Sequence, residues 1–137
     1  MPRLFRESPL NGIWEGSGNV ICLDVLRAMG RAPDSVDAFR EEVLAAAGAN
    51  PLFDAHCRRL DALLADPDDL EARARRIVET MAVALQASLL IRAGSTAVAD
   101  AFCASRLDPS AASAVYGALP TGVDVAAIVD RARPVAA

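Results

Sequence analysis

One carboxylate in this chain stands in an unusual setting. Glu15 directly follows the only tryptophan, Trp14, and precedes Gly16, Ser17, Gly18 and Asn19. Two glycines let the backbone turn sharply and approach another group closely. An apolar stretch begins at Val20, so the turn reads as a helix entrance. Free amides at such an entrance, with the helix dipole behind them, suit an anion such as a pyrophosphate. A carboxylate beside an indole in an apolar site has a raised pKa and suits the work of a general base. The pattern is not a dinucleotide fingerprint, because Ile21 stands where a third glycine belongs and no strand precedes it. The same residues also read without chemistry: Ser17 or Asn19 caps the helix, and Glu15 is a solvated acid of the first turn. Spacing alone leaves both readings open.

Other chemistry-bearing groups are sparse. Cys22, Cys57 and Cys103 are far apart with no C-x-x-C pair, and His56 is the only histidine. A zinc site needs about four soft or imidazole ligands at short spacings. Buried reduced thiols are the expectation for all three cysteines.

The elements that must position Glu15 are helices. Apolar residues make up 53% of the 137 positions and aromatics only 4%, with almost no period-two alternation. Residues 1–19 read as an irregular arm, with turn signals at Ser8-Pro9, Asn11-Gly12 and Gly16-Ser17-Gly18-Asn19. Residues 20–29 read as a mostly buried helix stopped by Gly30. A second helix follows Pro33, capped by Asp34 or Ser35, with Val36, Phe39, Val43 and Leu44 as its stripe and Gly48 as its end. A third opens with Asn50 as cap and Pro51 at the first helical position, with Leu52, Phe53, His56, Leu60, Leu63 and Leu64 along one face. Asp66, Pro67, Asp68 and Asp69 announce the longest helix, running to about Arg92, with Leu70, Ala74, Ile77, Met81, Leu85 and Ser88 on one face and a Glu71–Arg75 pair on its surface. Gly94, Ser95 and Thr96 break it before a fifth helix marked by Val98, Phe102, Cys103 and Leu107. Residues 111–116 and 123–133 read as two weaker helices. The expected fold is all-α: an up-and-down bundle of four to six helices over 20–107, the arm before it, and short helices with a tail over 108–137.

Charge narrows the partners. All 14 basic residues are arginine, and 18 acids bring the net charge to −4. The field of the whole molecule therefore does not favour nucleic acid. Local clusters remain, with Arg73 and Arg76 three apart on one helix and Arg58 and Arg59 on the helix before it. Uncharged apolar runs are too short to span a bilayer, and no secretory signal is visible at the start, so a cytoplasmic protein is expected.

The run Ile13-Trp14-Glu15-Gly16-Ser17-Gly18-Asn19 resembles the Y-E-G-T segment of acyl-CoA dehydrogenases. Its continuation through Cys22, Leu23, Asp24, Val25, Leu26 and Arg27, and the preceding Arg6, Glu7, Ser8, Pro9, Leu10 and Asn11, resemble the AidB-type branch of that family, in which Trp replaces the usual Tyr. The resemblance is specific over about 20 residues and looser through residue 107. It implies that Glu15 is the base that takes the α-proton of an acyl-CoA thioester while a β-hydride passes to FAD. It implies that Trp14, Gly16, Ser17 and Asn19 lie against the FAD. It also implies an N-terminal helical domain and a middle β-domain ahead of this segment, holding much of the flavin and acyl-CoA site. The expectation is a C-terminal piece of such a protein, inactive alone. Two further expectations follow from the branch. Duplex DNA binding would fall to Arg27, Arg58, Arg59, Arg73 and Arg76, against the net negative charge. Assembly would run through helical faces, as self-association or with a chain carrying the missing domains.

Overall fold

A computed structural model describes residues 2–12, 14, 16–110 and 117–134. Among these residues there are seven α-helices, one 3-10 turn and no strand. The helices are α1 (Pro2–Glu7), α2 (Gly18–Arg31), α3 (Pro33–Leu44), α4 (Pro51–Ala65), α5 (Leu70–Arg92), α6 (Thr96–Arg106) and α7 (Val125–Ala132). The 3-10 turn, Ser8–Gly12, follows α1. The arm expected to be irregular is thus helical over residues 2–12, and none of those residues is buried. The possible helix at 111–116 lies outside the described residues.

Breakers set the boundaries by local sterics. Pro33 and Pro51 each begin a helix, because a proline ring presets φ and its missing N–H has no partner in the first turn anyway. Gly30 does not end α2, which runs on to Arg31; Pro33 forces the residue before it out of the α region and stops the helix at Ala32. Ala32 therefore holds the N-cap position of α3, and neither Asp34 nor Ser35 caps it; the Ser35 hydroxyl donates back to the Ala32 carbonyl at 2.6 Å. Asn50 caps α4 as expected, its Oδ1 accepting from the amides of Leu52 at 2.9 Å and Phe53 at 3.3 Å. Gly94, at φ +83°, supplies the left-handed turn between α5 and α6.

The long helix α5 is the axis of the bundle, packing against α2, α3, α4 and α6. Its buried face is Ala74, Ile77, Met81, Ala84, Ala87 and Ser88. Four of these six are small, which lets neighbouring backbones come close. Around them lie Val43 and Ala46, then Phe53, Cys57 and Leu60 from α4, then Cys103 and Leu107. All three cysteines are buried free thiols. Polar ties fix the packing: Ser88 Oγ donates to the Glu42 carbonyl at 3.0 Å, Asn50 Nδ2 to Asp100 at 3.2 Å, and Arg40 pairs with Asp61 at 2.8 Å.

Helix α2 departs from the expected burial. Only Cys22 is buried, while Leu26 and Met29 are partly buried against the core. Val20 and Ile21 remain 47% and 38% exposed. Its inner side packs on α5 and α3, and its outer apolar side faces solvent together with Leu4, Phe5, Leu10 and Trp14 of the arm. No described helix is long and apolar enough to cross a membrane.

Candidate functional site

The motif segment enters α2 through an open turn. The Trp14 amide donates to the Leu10 carbonyl at 3.0 Å, and its indole Nε1–H donates to Asn11 Oδ1 at 3.3 Å. The ring itself stays 55% exposed. Gly16 sits at φ +120°, where a side chain would be strained, so the turn requires glycine there. Ser17 holds the N-cap position in extended conformation, yet its hydroxyl makes no capping bond. Ser17 and Asn19 are both exposed. The Arg75 guanidinium reaches across from α5 to Gly18, close enough that a Cβ there would displace it. The expected Glu71–Arg75 pair is not among the ion pairs of the described residues. Glu15 lies outside the described residues.

The described residues of the motif border a small cavity. The cavity beside them, lined by Asn19, Leu23, Glu71, Ala72, Ala74 and Arg75, holds about 160 Å³. Cavities for cofactor-sized ligands run upward from about 300 Å³. The described part of the motif offers one open edge: exposed Trp14, a glycine-bent turn and the first amides of α2.

The arginines expected to form a patch separate into three settings. Arg27 pairs with Asp24 on α2. Arg58 is exposed on α4 and is not among the residues lining the cleft beside Arg59. Arg59, Arg73 and Arg76 come together, joined by Arg106 from the end of α6, around a cleft of about 530 Å³. Its remaining walls are His56, Ala62, Leu63, Asp66, Thr80, Leu107 and Pro109.

A hydrogen-bonded chain ties the three helices at this cleft. The Thr80 carbonyl can only accept, so His56 Nε2 carries the proton and donates to it at 3.0 Å. His56 Nδ1 then presents its lone pair to Arg59, whose Nη2 lies 3.4 Å away and also donates to the Leu107 carbonyl at 2.6 Å. Burial holds the His56 pKa below its ordinary 6.5, the Arg59 charge adds to that, and the Thr80 bond opposes both. Arg73 is clamped to the α4–α5 connection, donating to Asp66 Oδ2 at 2.9 Å and to the Asp66 and Asp68 carbonyls at 2.7 and 2.6 Å. Its Nε is buried with no partner among the described residues. Asp108 lies beside this region with its carboxyl held low by two hydrogen bonds from Ser110.

Sequence reasoning placed Arg59, Arg73 and Arg76 near one another but read His56 only as a stripe residue, and it missed Arg106, Thr80 and Asp66. The available signal was helical spacing: His56 with Arg59, and Arg73 with Arg76 and Thr80, recur at three or four positions. Among the described residues no group of three or more His, Cys, Asp or Glu side chains is placed to hold a metal.

No family model and no solved structure matches the chain. A curated relative does. Over 108 residues, 79% of this chain, the sequence is 36% identical to the "Putative acyl-CoA dehydrogenase AidB" of Escherichia coli strain K12. The chain spans 20% of the length of that protein. Over that stretch the chain is similar in sequence to an AidB-type acyl-CoA dehydrogenase.

Proposed function

We propose that this chain is the C-terminal helical part of a cytoplasmic AidB-type acyl-CoA dehydrogenase. In this reading Glu15 accepts the α-proton of an acyl-CoA thioester. Trp14, Gly16, Ser17 and Asn19 form one edge of an FAD site whose other walls belong to the part of the AidB-type protein that this chain does not match. FAD supplies the hydride-accepting chemistry when bound. The observation that carries the reading is the 36% identity sustained over 79% of this chain and 20% of the relative. Two features support it. The open turn at Gly16 gives an edge and no enclosure. The arm and α2 present Leu4, Phe5, Leu10, Trp14, Val20 and Ile21 to solvent, an apolar face suited to packing on further domains or a second copy.

Alone, the chain catalyses nothing in this account, because base catalysis needs the reacting carbon held within hydrogen-bond reach of the base, and the cavity beside the described motif residues holds only about 160 Å³. The test has two parts. The purified chain, incubated with FAD and acyl-CoA, neither retains flavin nor reduces an electron-accepting dye. A chimera carrying this chain in place of the matched stretch of the Escherichia coli protein retains flavin, and Glu15→Gln abolishes any acyl-CoA oxidation it shows. Stoichiometric flavin and turnover in the isolated chain refute the proposal, as does a chimera whose activity ignores Glu15→Gln.

Duplex DNA is the weaker reading. Arg27 and Arg73 are already paired with Asp24 and Asp66, and the net charge is −4.

A further inference from the structure

The cleft between α4, α5 and the end of α6 differs in kind from the rest of the surface. The Asp108 carboxylate lies beside the cleft near Arg59, and four arginines line the cleft against one lining carboxylate, Asp66, in a chain whose net charge is −4. That carboxylate is already occupied by Arg73. Arg76 is exposed and its side chain has no partner among the described residues. Arg59 spends one nitrogen on the Leu107 carbonyl and His56, leaving the rest of its fork to the cleft. The histidine beside it is neutral, and the Thr80 hydroxyl is engaged with the Arg76 carbonyl at 2.7 Å, so neither supplies negative charge. Behind this charge the walls are apolar: Ala62, Leu63, Leu107 and Pro109. A guanidinium fork matches the oxygens of a carboxylate or phosphate in two parallel bonds. A volume of about 530 Å³ falls within the range of small-molecule sites.

We propose that this cleft binds a small organic oxyanion, a carboxylate or phosphate monoester with a compact apolar body, whose head group meets Arg59 and Arg76 and whose body lies on Leu63, Leu107 and Pro109. A concave site with an apolar floor suits such a molecule better than the convex backbone of a duplex. The site does not depend on Glu15 or on the dehydrogenase reading, so each stands or falls separately.

The probes are phenyl phosphate, hexanoate, inorganic phosphate and a short DNA duplex, added to the whole chain. The Cε1 proton of the single histidine reports occupancy by NMR, and calorimetry gives the affinity. Phenyl phosphate or hexanoate binds saturably at millimolar concentration or below, more tightly than inorganic phosphate. Arg76→Gln, which keeps most of the aliphatic stem and breaks no side-chain bond to the described residues, weakens binding about tenfold, as expected for one lost charge-assisted contact. Arg58→Gln, on the same helix as Arg59 but outside the cleft, changes nothing. Three results overturn the proposal: no saturable shift with either organic anion; equal losses in the two variants, or equal affinity for inorganic phosphate, which mark a diffuse field; or a duplex that binds more tightly than the organic anions and displaces them, which assigns the arginines to nucleic acid.

Discussion

Replacing Arg59 with alanine tests whether the clamp at the cleft is as the geometry describes. Two consequences follow from one side chain. Arg59 Nη2 lies 2.6 Å from the Leu107 carbonyl, and Leu107 is 1% exposed. Removing a charged donor from such an acceptor costs about 1.5 kcal/mol, the lower end of the range for charged bonds, since water can reach the space an exposed arginine vacates. At this chain length that corresponds to a fall in Tm of about 4–8 °C. The second consequence is electrostatic. Burial is the largest influence lowering the His56 pKa from 6.5, and the Arg59 charge lowers it further. In Arg59→Ala the midpoint therefore rises but stays below 6.5, because burial remains. A one-dimensional proton NMR titration measures this without assignment, since His56 is the only histidine. The linkage sign is fixed by the same direction. The unfolded chain takes up the proton first, so the His56 contribution to stability is complete above pH 6.5 and is lost as pH falls from there through the depressed native value. Urea midpoints measured across that interval decline in the wild type and decline less in Arg59→Ala, and His56→Gln removes this component altogether. An unmoved or lowered midpoint in Arg59→Ala would show that the Arg59 charge does not act on His56 and would refute the packing described for the pair.

Phe53 is 0% exposed at the centre of the core, and Phe53→Ala costs about 3–5 kcal/mol, read by urea denaturation; a loss under 1.5 kcal/mol would mean that α4 does not dock as described. The three cysteines are buried, and burial pushes the Cys57 and Cys103 thiols up to about 11. A thiol reagent at pH 8 therefore finds no fast-reacting group until denaturant is added, and the stability carried by these two neutral thiols is present below pH 9.0 and lost as pH rises through about 11. Rapid labelling of the native chain at either position would contradict their burial.

The motif was the most legible part of the functional reading, because Trp14, Glu15 and the two glycines lie within five positions of one another. The cleft was only half legible. Arg59, Arg73 and Arg76 sit on consecutive helices, but Arg59 and Leu107 are 48 positions apart, and nothing local announces that they meet. Arg75 shows the opposite failure: its nearest acid in sequence, Glu71, suggested a surface pair, and the guanidinium lies over Gly18 of another helix.

What the residue order settled by itself was the all-α class and most helix ends. Asn50 accepting from two amides, Pro51 opening α4 and Gly94 turning left-handed after α5 are decisions made within a few residues by sterics and by unpaired backbone groups. What only tertiary packing decided was the buried face of each helix. Leu70, placed on the inner stripe of α5, is exposed and Leu85 only partly buried against the core, while Ala84 and Ala87 are fully buried, and α2 buries Cys22 while Val20 and Ile21 stay in solvent. In alanine-rich helices the apolar stripe is broad and small side chains fit against any neighbour. Which side faces inward is then set by how closely the backbones can approach, a property of the assembled bundle that no single helix contains.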